Sequence, residues 1–354
     1  MNAPLAEAPA RLVVTGGAGF VGANLVRWLL SHRPGVRVLT VDALTYAGNL
    51  ENLAGVLDDP RHRFEHADVC DAERLARIFA DYQPDGVLHL AAESHVDRSI
   101  VGPAAFVRTN VQGTATVLDV ARAHGGPRVV VVSTDEVYGS LGPSGRFNEG
   151  TALAPSSPYS ASKAAADLLA LSYHHTFGQD VVVTRCSNNY GPYQFPEKLI
   201  PLMISRALED QPLPVYGDGR NVRDWIHVED HCTGIVLALE RGAAGRVYNL
   251  GGDAERENLA VVRQVLAELG KPESLIRFVA DRPGHDRRYA MDASRARAEL
   301  GFSPRYGFEL GLARTIGWYV EHEAWSRRVR DGSYRRYFED TYRSRLEAAA
   351  PCAV

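Results

Sequence analysis

Five residues in two short stretches carry side chains suited to moving protons. Tyr159 and Lys163 stand four positions apart, so on a helix they share a face. An ammonium beside a phenol stabilises the phenolate and lowers its pKa, and such a tyrosine can take a hydroxyl proton while hydride leaves the same carbon. Thr134, with Ser133 before it, offers a hydroxyl to orient that oxygen, and Asp135 and Glu136 follow at once. Neighbouring carboxylates point to opposite faces of a strand that continues, but both can reach one ligand where the chain turns. If their proton affinities differ, they supply the base and the acid that elimination of water requires. Each signal has an ordinary alternative: an exposed helical pair for Tyr159 and Lys163, and a hydrated turn cap for the two acids.

Those residues need a strand and a helix to hold them. Residues 128–133 form a β-branched run that would end at the acids, and Ser157 followed by Pro158 reads as the N-cap and first position of a helix. Further runs at 12–15, 37–41, 64–66, 86–90 and 180–186 are mostly continuous in apolar residues, as in strands buried on both faces of a parallel sheet. Helical patterns lie between them; in residues 103–124 the apolar face is Val107, Val111, Ala115, Leu118 and Ala121. The expected fold is α/β, a Rossmann-type doubly wound parallel sheet with a smaller α/β lobe. We place the dinucleotide-binding domain at 11–187, with returning segments near 225–252, and an interleaved substrate lobe at 188–340. Helices are expected at 228–241, 258–269 and 308–328, a strand at 246–250, and ligand-facing loops at 189–197 and 216–224.

The first strand runs into Gly16-Gly17-Ala18-Gly19-Phe20-Val21-Gly22, which opens a helix. Gly16, Gly19 and Gly22 let the backbone turn and approach a pyrophosphate, whose charge the helix start stabilises. Asp42 ends the second strand twenty residues beyond Gly22, where a carboxylate can accept from ribose hydroxyls and repel a 2′-phosphate. NAD is therefore favoured over NADP. Asp68-Val69 and Leu90-Ala91-Ala92-Glu93-Ser94 follow the third and fourth strands and face the same crevice. An ordinary tight turn and a helix cap are the alternatives for the glycines and for Asp42.

Together these features resemble the extended short-chain dehydrogenases/reductases. The resemblance narrows to the dTDP-glucose 4,6-dehydratase family on Ser133-Thr134-Asp135-Glu136-Val137-Tyr138-Gly139, Asp42-Ala43-Leu44-Thr45-Tyr46-Ala47-Gly48-Asn49 and Ala92-Glu93-Ser94-His95-Val96-Asp97-Arg98-Ser99. It extends through Asn188-Asn189-Tyr190-Gly191-Pro192-Tyr193, Pro196-Glu197-Lys198-Leu199-Ile200, Arg223-Asp224-Trp225 and Arg282-Pro283-Gly284-His285-Asp286, covering residues 11 to about 319. The resemblance implies oxidation of a hexose at C4, loss of water across C5 and C6, and return of the hydride to C6. Tyr159 would then be the base at the C4 hydroxyl, helped by Thr134 and Lys163; Glu136 would take the C5 proton and Asp135 protonate the C6 oxygen. NAD contacts would include Phe20, Val21, Ala43, Leu44, Thr45, Thr109 and Asn189, with Ser94, Tyr159 and Lys163. Substrate contacts would be Ser94, Thr134, Asn188, Glu197, Lys198, Leu199, Arg223, Asn249, and the 281–285 segment with Asp281 and His285. The family also implies a homodimer through helices 103–124 and 158–177, whose apolar positions have packing on the sheet as their alternative. One departure is the short stretch 124–128, which resembles forms dedicated to secondary-metabolite sugars. Alternatives within enzymes are a dehydratase or 4-epimerase acting on a UDP-linked sugar; outside them, a non-catalytic NAD-binding regulator.

Composition sets the outer limits. With 39 basic against 43 acidic residues, the formal charge of -4 gives no footprint for nucleic acid. Apolar runs fall far short of the roughly 20 residues a membrane-spanning helix needs. The Ala/Pro-rich residues 1–10 read as a disordered leader without signal-peptide features, and 341–354 as a peripheral tail. Cys70, Cys186, Cys232 and Cys352 lack paired spacing, so reduced thiols in a cytoplasm and no metal are expected. Arg327-Arg328 and Arg335-Arg336 read as a solvated helix face.

Overall fold

Successive residues of a strand point to opposite faces, and here both faces are covered. Val13, Leu39, Val87, Val129, Val131, Val181 and Val183 pack into one cluster, while Leu12, Val14, Val38, Leu88, Val130 and Val182 pack into another on the far side. Fully burying each such side chain is worth about 1.5–3 kcal/mol, so the sheet is held from above and below. The structure, a computed structural model, describes residues 11–330. The expected leader, the tail, the Arg335-Arg336 patch and Cys352 lie outside the described residues.

The strands are, in chain order, β1 (Arg11–Thr15), β2 (Arg37–Asp42), β3 (His62–His66), β4 (Gly86–His89), β5 (Arg128–Thr134), β6 (Val181–Cys186), β7 (Asn188–Tyr190), β8 (Leu213–Tyr216), β9 (Val222–His227), β10 (Val247–Leu250), β11 (Glu255–Glu257) and β12 (Ile276–Val279). Seven form one parallel sheet in the order β10-β6-β5-β4-β1-β2-β3. Strand order reverses between β1 and β4, and ligands of such sheets bind at the carboxyl ends beside that switch point. The first six strands lie within two residues of the sequence expectation. A three-stranded sheet, β11-β9-β7, and the parallel pair β12-β8 belong to a third apolar cluster built on Ile200, Met203, Trp225, Val262, Phe308 and Tyr319.

Two helical expectations need correction. The stretch 103–124 contains a π-helical segment, Val107–Gln112, between Pro103–Phe106 and Gly113–Ala123. The wider turn inserts a residue and rotates the buried stripe: Phe106, Asn110, Thr114 and Val117 go inward, whereas Val107 is 57% exposed. The helix expected over 308–328 breaks at His322 into Phe308–Glu321 and Glu323–Val329. The break lets Trp325 pack against Trp318 and donate to Asn52 Oδ1 at 3.0 Å. Among the described residues no helix is long and apolar enough to cross a membrane, and no cluster of three or more His, Cys, Asp or Glu side chains is placed to hold a metal. Cys70, Cys186 and Cys232 are free thiols.

Candidate active site

The helix Phe20–His32 starts at Gly19 without a side-chain cap and with no acid in its first turn, leaving its first N–H groups for an anion. The approach is close because side chains are missing. A Cβ on Gly22 would sit 2.1 Å from the Gly16 carbonyl oxygen, and one on Gly16, whose φ is +71°, would lie 2.6 Å from Ala91 N. At the end of β2, Asp42 accepts from Ala18 N at 2.9 Å and Leu44 N at 2.8 Å. Burial raises its pKa, and those two N–H groups oppose the rise. Each of its oxygens keeps a lone pair for a ribose hydroxyl. Gly16, Gly19, Phe20, Val21, Gly22, Asp42, Ala43, Thr45, Asp68, Val69, Leu90, Ala91, Ala92, Ser94 and Thr109 all line this first pocket. A glycine cradle, an uncapped helix start and a carboxylate at the next strand end together suit a dinucleotide with a free 2′-hydroxyl.

The chain turns where the acids stand. Thr134 ends β5 in extended backbone and caps a single 3-10 turn, Asp135–Tyr138, by accepting from Glu136 N at 3.3 Å. That turn abolishes strand alternation: Glu136 reaches an open pocket, whereas Asp135 beside it is only 1% exposed. On the neighbouring helix Pro158–Phe177, Ser157 and Ser160 form a reciprocal capping box, and Tyr159 and Lys163 are buried on its inner face. Thr134, Glu136, Cys186 and Asp135 all lie close enough to Tyr159 to act on its proton affinity. Ser133 instead faces Asp167.

The proton affinities of the two acids differ in cause. Asp135 is pushed well above the carboxylate range by burial, then by Glu136 and Asp224, and its Oδ2 is buried without a hydrogen-bond partner. Burial also raises Glu136, but Arg282, Lys198 and Arg223 all pull it back. The surroundings of Asp135 thus favour its protonated form, and Glu136 is the one with cations to favour its anion. One expectation is overturned: the Tyr159 phenol lies well above its ordinary value, not below it. Burial and Glu136 raise it, whereas the Lys163 ammonium is committed to the Val132 carbonyl at 2.7 Å.

A second pocket adjoins the first. Glu136, Asn188, Glu197, Lys198, Leu199, Arg223 and His285 line it, and Glu197 and Lys198 line both. Lys198 donates to Ser94 O at 2.6 Å, and Glu197 accepts from Arg98 at 3.1 Å. Thr134, Tyr159 and Lys163, expected to touch substrate or NAD, line neither space, and three further expected contacts turn elsewhere. Asn249 is completely buried, accepting from Tyr138 and donating to Phe147 O. Asp281 turns to His285 Nδ1 at 2.6 Å, and the Asn189 amide goes to Ser187 O and His231. Leu44 likewise packs on the core beside the first pocket rather than lining it.

Other second-pocket residues were not singled out individually in the sequence: Arg282, Tyr216, Trp225, Asn258, His95 and Asp97. Asp97 accepts from Tyr216 at 2.7 Å and from Arg282 at 2.8 Å, joining three distant segments. The aromatic-rich loop at 216–224 pointed toward Tyr216, and the Arg282–Asp286 motif toward Arg282; nothing local marked Asn258, which opens a helix. Behind the acid turn, Asp167 and Arg185 pair at 2.8 Å, and Arg185 donates to the Tyr138 hydroxyl at 2.9 Å. Removing one partner of so buried a pair costs about 3–5 kcal/mol, so the turn carrying Asp135 and Glu136 is firmly anchored.

Comparison with known proteins agrees with this arrangement. A family model described as GDP-mannose 4,6 dehydratase matches residues 13–315. A dTDP-glucose 4,6-dehydratase of Xanthomonas campestris pv. campestris (strain B100) is 52% identical over 341 residues, 91% of this chain and 97% of the relative. The crystal structure of DesIV, a dTDP-glucose 4,6-dehydratase of Streptomyces venezuelae with NAD bound, is 52% identical with a TM-score of 0.88, covering 90% of this chain and 99% of that one. A UDP-glucose 4-epimerase of Thermus thermophilus, in complex with NAD, is 31% identical with a TM-score of 0.81, covering 88% and 99%.

Proposed function

This chain belongs to the GDP-mannose 4,6 dehydratase family and, within it, to the dTDP-glucose 4,6-dehydratases; on that premise we propose that it converts dTDP-glucose to the 4-keto-6-deoxy sugar. It is an NAD-dependent hydro-lyase. The observation that carries this reading is the convergence of Tyr159, Thr134, Asp135 and Glu136, with the two acids held at different proton affinities. An epimerase needs no such acid pair.

Gly16, Gly22, the helix start and Asp42 hold NAD, which when bound supplies the acceptance of hydride from C4 and its return to C6. Tyr159 takes the C4 hydroxyl proton, oriented by Thr134. A ketone at C4 makes the C5 anion an enolate, so Glu136, a modest base, suffices to remove the C5 proton. Asp135 protonates the departing C6 oxygen, and Glu136 returns its proton to C5. In the second pocket Arg223 and Arg282 supply guanidinium forks for a diphosphate, with Lys198 as a point charge.

We infer in addition a cytoplasmic homodimer. Val101, Val107, Leu168 and Phe177 are each more than half exposed on the helices at 96–101, 103–123 and 158–177, an apolar surface that a second copy would cover. The short 124–128 stretch supports a place in secondary-metabolite sugar synthesis. The decisive experiment incubates the NAD-loaded protein with dTDP-glucose and its UDP counterpart and follows product mass and NMR. A 4-keto product lighter by one water, from dTDP-glucose, is expected; an isomer of unchanged mass sinks the dehydratase reading.

A further inference from the structure

We propose that Asp97 is a positioning residue for the nucleotide sugar: it fixes the Arg282 guanidinium to the segment that follows β4, so that a diphosphate meets a fork already in place. This inference rests on the reading of Arg282 as a diphosphate contact. Asp97 follows the 90–94 wall of the first pocket and itself lines the second. Its Oδ1 accepts from Arg282 Nη1 at 2.8 Å, and its Oδ2 accepts from the Tyr216 hydroxyl at 2.7 Å. Tyr216 ends β8 in register with Val279 at the end of β12, and Arg282 lies just beyond Val279. One carboxylate from the wall of the first pocket thus grips the same end of both strands of the β12-β8 pair.

The grip is firm on the Asp97 side. Ser94 O accepts from Lys198 at 2.6 Å and Arg98 donates to Glu197 at 3.1 Å, so the chain is held on both sides of Asp97. The Asp97 and Arg282 side chains are only 12% and 18% exposed. Burial alone would raise the Asp97 carboxyl; Arg282 above all outweighs it and holds the group below its ordinary value. A carboxylate with open lone pairs would repel a diphosphate, but here each oxygen already faces a donor. Arg282 is not so complete. Its Nε–H is buried with no acceptor among the described residues, although its side chain lines the second pocket. A buried donor left unpaired is costly. An oxygen of a bound diphosphate would supply the missing acceptor while Nη1 stays on Asp97, and the long side chain would lose little freedom on binding because it is already ordered.

Titration of NAD-loaded enzymes with dTDP reads the effect without turnover. Ordering one long side chain in advance is worth up to about tenfold in affinity, so Asp97→Ala is expected to weaken dTDP by about that factor. Tyr216→Phe, which keeps the bond to Arg282, is expected to weaken it less. In an Arg282→Gln background the same Asp97 change is expected to add nothing, because Asp97 acts through Arg282; a merely structural role would weaken binding in both backgrounds. Should Asp97→Ala fail to fold, Asp97→Asn keeps the size and one acceptor oxygen, and a smaller loss with the same dependence on Arg282 is expected. Unchanged or tighter dTDP binding in the Asp97 variant, or equal losses with and without Arg282, overturns the positioning role and leaves the diphosphate reading intact. An Arg282→Gln enzyme that binds dTDP as well as the wild type overturns both.

Discussion

The two pockets share Glu197 and Lys198 yet are made from different material. The first is built on strand ends, glycines and a helix start, with Asp42 at the end of β2. The second is mostly long side chains, from helices, loops and strands as far apart as Asp97, Lys198, Arg223 and Arg282. A backbone site is fixed by local chain geometry, so its tolerance to substitution is all or nothing. A side-chain site is fixed by mutual ion pairing, so its losses are graded.

The sharpest way to break that contrast is Gly22→Ala. Its methyl would meet the Gly16 carbonyl, and we expect a loss of at least about 3 kcal/mol of stability, as at other sites of forced backbone strain. Protein purified without NAD and melting earlier would show it. Next comes Asp135→Asn, which should slow elimination about a thousandfold while slowing C4 oxidation far less. Accumulated reduced nicotinamide, read by its absorbance, would reveal the split; equal loss of both steps would make Asp135 structural.

Arg282→Gln tests the graded side. It removes a cation that holds Glu136 down, so the Glu136 pKa rises further. A base works only when ionised, and activity falls as pH drops through its pKa. The acid limb of the kcat profile should therefore move to higher pH by about one unit, with KM raised about tenfold. An unmoved limb would detach Glu136 from the base role. The smallest effect on chemistry is expected from Asn249→Ala. It strands the Tyr138 hydroxyl and should cost about 1–3 kcal/mol in thermal stability with KM unchanged; a large KM rise would return Asn249 to the substrate.

This division also explains what the sequence could tell. Gly16 to Gly22, Asp42 and the strand ends are local facts, and their spacing pointed to the glycines, Asp42, Asp68, Val69 and Leu90 to Ser94 of the first pocket, while Phe20, Val21, Ala43, Thr45 and Thr109 came from the family resemblance. The acid turn was legible as a choice between alternation and turning, and Thr134 closing a 3-10 turn decided it. The π-helical segment at 107–112 was not legible, because the Asn110 contacts with Glu93 and Ser162 that accompany it lie far off in sequence. Nor was the commitment of Lys163 to Val132 O, which reversed the expected effect on Tyr159. Asn249 shows the opposite error: the family resemblance made it a substrate contact, but here it accepts from the buried Tyr138 hydroxyl.

The wall shared through Glu197 and Lys198 has a consequence for redesign. Any attempt to broaden sugar choice by altering this segment also changes the grip on the nicotinamide nucleotide, since the same two side chains touch both spaces. New specificities are better sought at Tyr216, Trp225 and Asn258, which border the second pocket and not the first.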